Sequence, residues 1–204
     1  MRRTMHLTNA TTPGSLMSKI GDTTMKKIFT TLLAAAFIPF STFAISLSDI
    51  TNNSEQYVKI KNSMNTTLYV DISSIESLRY DPPYYTLRGK AYAVNYSSNR
   101  IFETTDIINY DYNKSVDSVT DNIINEDQKL NLNQSKEQML VKLEGILRAD
   151  CGMNYFHVNM NTWDFNGNLI TSGAKSTHAK PVQYEHGEWM IAEKFFEQYY
   201  NQEF

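Results

Sequence analysis

The amino-acid sequence predicts an α+β domain: an antiparallel sheet of about five or six strands with two packed helices, near residues 135–151 and 188–200. Three observations carry that expectation. Apolar residues alternate with a period of two between residues 56 and 112 and again from 155 to 174, with turn formers between the runs. Two other segments repeat apolar residues every three or four positions, the spacing of an amphipathic helix. Asn166-Gly167 is the strongest short hairpin signal in the chain.

Taken in order, Gln56 to Lys61 and Thr66 to Ile72 read as two strands joined through Asn-Ser-Met-Asn. Ser73-Ser74-Ile75-Glu76 reads as a tight turn or short 3₁₀ piece, and Asp81-Pro82-Pro83 as a loop, because proline cannot donate to a ladder. Tyr84 to Tyr96 is the clearest strand. Leu87, Gly89, Ala91 and Ala93 share one face, and Arg88, Lys90, Tyr92, Val94 and Tyr96 the other. The small residues of the first face suit a helix packed closely across it. Ser97-Ser98-Asn99 turns the chain into Ile101 to Tyr112, where Phe102, Ile108, Tyr110 and Tyr112 share parity.

Residues 113–134 are rich in Asn and Asp and weakly periodic, so they read mostly as loop with a short strand near Val116 to Ile124. Ser135 is placed to cap a helix, with Gln138 at the capping-box position. Met139, Leu140, Leu143, Ile146 and Leu147 give that helix one apolar stripe, and Cys151-Gly152 ends it. Tyr155 to Trp163 and Leu169 to Ala174 flank the Asn166-Gly167 turn. His178 to Gly187 is a loop containing Pro181. Glu188 to Tyr200 is the second helix, with Ala192, Phe195, Phe196 and Tyr199 on one side.

The N-terminal region predicts export. Met25 is followed by Lys26 and Lys27, an apolar run from Ile28 to Phe40, and Ser41-Thr42-Phe43-Ala44 with small residues at −3 and −1. These are the parts of a secretory signal peptide over 25–44, too short and proline-broken for a bilayer span. Residues 1–24 are polar and read as a non-native or extended N-terminal stretch. Residues 45–55 form a polar leader, and 56–204 a single α+β domain. Cleavage after Ala44 removes five basic side chains and one acidic one from the 19 and 22 of the chain. The remaining 14 and 21 give a net charge of −7, which repels nucleic acid and anionic lipid. No stable membrane anchor is expected after cleavage. The location expected is periplasmic, secreted or cell-surface.

No Gly-x-Ser-x-Gly elbow, phosphate-binding loop, His-Glu-x-x-His helix or dinucleotide fingerprint occurs, so no catalytic residue, metal site or cofactor is expected. His157, His178 and His186 do not fall at zinc-ligand spacing. Asp164-Phe165-Asn166-Gly167-Asn168 resembles a calcium loop, but its glycine is at the fourth position and Lys175 at the twelfth; it is a turn. The single cysteine, Cys151, reads as a buried, inert thiol, with an intermolecular disulfide or a reactive thiol as the alternative. Arg79, Tyr80, Tyr84 and Tyr85 flank the Pro82-Pro83 loop. They are the candidate binding residues, since tyrosine and arginine cover large contact area while keeping a polar handle.

Leu68-Tyr69-Val70-Asp71-Ile72-Ser73-Ser74-Ile75 resembles a stretch of the surface-adhesin E-like family of small exported bacterial proteins. The resemblance implies an antiparallel sheet with packed helices, a role in binding host or matrix proteins, and a homodimer. The chain departs from that pattern in lacking a lipidation cysteine and a cysteine pair. The leading functional expectation is a non-enzymatic, adhesin-like binding module that recognises a protein partner. The alternatives are a secreted or periplasmic hydrolase using His157, His178 or His186 as acid–base groups, and a periplasmic inhibitor or assembly factor.

Overall fold

The computed structural model describes residues 44–204 apart from Ala174. The expectations for 1–24 and for the signal peptide up to Phe43 lie outside the described residues. Seven antiparallel strands form one sheet: β1 (Tyr57–Asn62), β2 (Thr66–Asp81), β3 (Tyr84–Asn95), β4 (Arg100–Asp111), β5 (Met153–Asp164), β6 (Leu169–Ser172) and β7 (Lys180–Pro181). The order is β1-β2-β3-β4-β5-β6, with the two-residue β7 also pairing β5. Four α-helices accompany it among the described residues: α1 (Leu47–Asn52), α2 (Val116–Leu130), α3 (Lys136–Ala149) and α4 (Gly187–Tyr200). The predicted fold class is therefore the observed one, with two helices more than expected.

The face carrying Leu87, Gly89 and Ala91 receives α4. A Cβ on Gly89 would lie 2.6 Å from Phe195 Cζ, so the absence of a side chain there lets the Phe195 ring lie on the backbone. Phe195, Phe196 and Ala192 of α4 are buried with Val70, Leu87, Ile108 and Met153 of the sheet. Tyr110 adds a tie by donating its hydroxyl hydrogen to the Ala192 carbonyl at 2.8 Å. A second, smaller core lies on the opposite face, where α1 covers Tyr92, Val94, Ile101 and Trp163 with Ile45 and Ile50. That helix stands in the stretch read as a polar leader. Ser46 caps it, accepting from the Asp49 N–H while Asp49 accepts from the Ser46 N–H at 2.8 Å.

Two expectations are corrected. Residues 116–130 are helical, not loop or strand. Ser115 caps α2 and is fully buried, and Val119 and Ile123, one helical turn apart, are the residues it sends into the core. The Asn and Asp residues that weaken helix propensity sit mostly on the solvent side, where packing does not penalise them. Ser73–Glu76 is not a turn between elements but a wide bulge inside the continuous β2. Asp71 pairs Lys90 and Glu76 pairs Arg88, so four β2 residues oppose a single residue of β3. The bulge supplies its own hydrogen bonds: Asp71 Oδ1 accepts from the Ser73 hydroxyl at 2.6 Å, and Ser74 Oγ accepts from the Lys90 N–H at 2.8 Å.

Glu193 of α4 is half-buried and faces Glu197 and Glu203 in a cleft that also includes Asp117. Burial first, then those two carboxylates, push its carboxyl up to about 7. The folded value exceeds the unfolded one, so the associated stability is complete below about 4.5 and is lost as pH rises through 7. Glu193→Gln is expected to stabilise the protein by about 1–2 kcal/mol at about pH 8 and to flatten the slope toward pH 5. Urea unfolding at the two pH values measures both.

Candidate functional site

The β2–β3 hairpin turns through Pro82 and Pro83 alone, Asp81 pairing directly with Tyr84, and the bond between the prolines is cis. A two-residue turn makes the flanking parity strict, and parity separates the four predicted residues. Tyr80 and Tyr85 are a cross-strand pair on the helix side, with rings 5.6 Å apart at 72°. Arg79 and Tyr84 lie on the other side, the guanidinium carbon 5.5 Å from the Tyr84 ring centre. Arg79 is also bonded to Asp81 at 2.5 Å. The four residues thus line both sides of one hairpin tip and do not form a single flat patch.

Their exposures differ as sharply. Tyr80 is 69% exposed and Tyr84 45%, but Tyr85 is only 9% exposed. Tyr85 meets Phe196 at 5.3 Å, Tyr200 at 5.1 Å and Tyr112 at 6.2 Å, so it braces the tip from within the core and presents no surface to a partner. Tyr200, at 5.9 Å from Tyr80, and the exposed Tyr199 beside it extend the aromatic surface onto α4. Sequence reading did not connect these two to the hairpin, since they stand about 120 residues away and only the packing of α4 unites them.

A second constellation lies on the helix-side face. Asp106 is 4% exposed, accepts from the Thr104 hydroxyl at 2.9 Å, and is bonded through its other oxygen to His157 Nδ1 at 2.5 Å. That hydrogen bond, above all, raises the His157 pKa and favours its charged form, against the opposing effect of burial. Tyr155 stands edge-on to the imidazole, ring centres 5.2 Å apart.

A strand bulge creates this pair. Thr105 opposes Asn159 while Asp106 opposes His157, so Val158 is an extra residue on β5. Without it, period-two alternation places His157 on the face of Trp163 and Asn161; the bulge reverses the parity and turns the imidazole toward Asp106. The sequence offers no composition cue for a bulge at Val158, which is why His157 stood alone there. His178 lies on the segment leading to β7, in a cleft shared with His157, and His186 is the residue before α4 with no side-chain bond to cap it. Cys151 is buried, its thiol donating to the Val182 carbonyl at 3.2 Å, and burial pushes its pKa up.

Among the described residues no group of three or more His, Cys, Asp or Glu side chains is arranged to hold a metal ion, and no helix is long and apolar enough to cross a membrane. Comparison with protein-family models, curated proteins and solved structures finds no match for the chain.

Proposed function

We propose that the chain is an exported, non-enzymatic binding module that recognises a protein partner through the β2–β3 hairpin tip. One observation carries this reading: two exposed tyrosines, Tyr80 and Tyr84, with Arg79 stacked on the second, project from a two-residue proline turn whose root is packed by Tyr85 and Tyr200. Rings held in place before contact lose little conformational entropy on binding, and tyrosine and arginine dominate interface energetics. The predicted signal peptide supports a partner at the cell envelope or outside it, and the net negative charge expected of the mature chain disfavours nucleic acid or anionic lipid as that partner.

A photo-crosslinking amino acid at Tyr80 tests the proposal in cells. One discrete protein adduct is expected from position 80 and none from Asn99, in the turn that joins β3 to β4. Tyr80→Ser with Tyr84→Ser is expected to weaken capture of that partner by at least about tenfold with unfolding unchanged. No adduct, or an equal one from Asn99, removes the proposal.

The Asp106–His157 contact favours a second reading, a hydrolase using His157 as a general base. Among the described residues no hydroxyl is hydrogen-bonded to the imidazole: Thr104 donates to Asp106, and Ser176 meets His157 at its backbone, accepting from the N–H at 3.3 Å. A hydrolytic turnover abolished by His157→Gln separates this reading from the first.

A further inference from the structure

Two openings on the helix-side face share His157. One is a cavity of about 280 Å³ at the start of α4, floored by Ala91 and Ala93 and walled by Leu68, Phe102 and Ile191. The small side chains of β3 let α4 approach at Gly89 and leave this space unfilled where the helix begins. The other is an open cleft bordered by Lys175, Ser176, His178 and Lys180. An apolar chamber and a cationic cleft therefore adjoin one imidazole.

The charges around that ring are asymmetric. Asp106 on β4 is committed to Thr104 and to His157 Nδ1, leaving the ring's other nitrogen for a ligand. Lys180 on β7 and Glu188 on α4 both act on the imidazole electrostatically, and Tyr155 on β5 contributes only its ring edge. Glu188 is solvent-exposed at the mouth. Lys175 adds positive charge on the cleft side. The α4 N-terminus, whose first residues Gly187 and Glu188 line the cavity, has no side-chain cap from His186 and adds partial positive charge.

We propose that this composite site binds a small amphipathic organic acid, its carboxylate between the His157 imidazole and the Lys175 and Lys180 ammonium groups and its hydrocarbon chain over Ala91 and Ala93. The chamber suits a chain of about six carbons, at the small end of the range for ligand pockets. The carboxylate is the fitting head group because the cleft supplies donors and the Lys175 and Lys180 charges, while both oxygens of the chamber's own acid, Asp106, are turned to Thr104 and His157 Nδ1. Affinity falls as pH rises through the elevated His157 pKa, where the ring loses its charge and only the lysines remain.

Hexanoate is the probe, titrated calorimetrically into the purified protein while the His157 ring resonances are followed by NMR. The expected result is millimolar or tighter binding that shifts those resonances, with acetate and hexan-1-ol each at least about tenfold weaker, since each lacks one half of the ligand. Lys175→Gln with Lys180→Gln is expected to cost about tenfold, and Ala93→Leu to abolish binding by filling the chamber while circular dichroism is unchanged. Absence of hexanoate binding, equal binding of hexan-1-ol or acetate, or a shift confined to residues away from His157 overturns the proposal. The acetate and hexan-1-ol comparisons use the unaltered protein, so they decide the matter even if a variant misfolds.

Discussion

Phe195→Ala is expected to destabilise the domain by about 3–5 kcal/mol, because it empties the contact on which the sheet and α4 meet. Phe195 is fully buried, and its ring covers the bare backbone at Gly89, which has no side chain to fill the space. For a chain of this length that loss lowers the melting temperature by about 10 °C or more. The converse substitution is informative too. Gly89→Ala puts a Cβ within 2.6 Å of Phe195 Cζ and is expected to cost about 1–3 kcal/mol by overpacking. In the Phe195→Ala background the added methyl meets space instead of a ring, so the two costs are expected to be strongly non-additive. Urea unfolding of the two single variants and the double variant measures the coupling; simple additivity shows that the ring does not sit on Gly89.

Glu103→Ala is expected to cost a similar amount, about 3–5 kcal/mol, for an electrostatic reason. Glu103 is 4% exposed beneath α1, on the face opposite Phe195. Its carboxylate accepts from Trp163 Nε1 at 2.8 Å and Asn161 Nδ2 at 3.1 Å, and pairs with Lys90 Nζ at 3.0 Å. Alanine leaves the buried Trp163 and Asn161 donors without that acceptor and removes one carboxylate paired with Lys90. Glu103→Gln keeps an acceptor of the same shape and is expected to lose clearly less. Denaturant midpoints that fall with the slope unchanged mark a loss of native stability; equal midpoints for Ala and Gln place the energy in the carboxylate charge and not in the acceptor and packing that Gln retains.

The parts of the fold legible in the chain are those governed by neighbours in sequence. The Ser135–Gln138 capping box forms as written, with the Ser135 N–H donating to Gln138 Oε1 at 2.7 Å. Asn166-Gly167 closes the β5–β6 hairpin, with Gly167 at φ +87°, a conformation that favours glycine. The alternation over Tyr84–Tyr96 placed Gly89 on the helix-covered face, and α4 is found there. The candidate binding residues were legible only as a cluster. That Tyr85 braces the core while Tyr80 and Tyr84 face solvent on opposite sides depends on the turn length and on where Phe196 and Tyr200 land.

By itself the sequence determined the strand and helix periods, the caps and the tight turns, since each is set by hydrogen bonds and side-chain spacing within a few residues. Only the tertiary structure decided the rest. Partner strands imposed the bulges at Asp71–Glu76 and Val158, and a bulge reverses every side chain that follows it; the second reversal joins His157 to Asp106. Burial of Val119 and Ile123 made a helix of a segment with weak local preference. Both sites proposed here are assembled from residues far apart in the chain, and contacts of that range carry no periodicity along it.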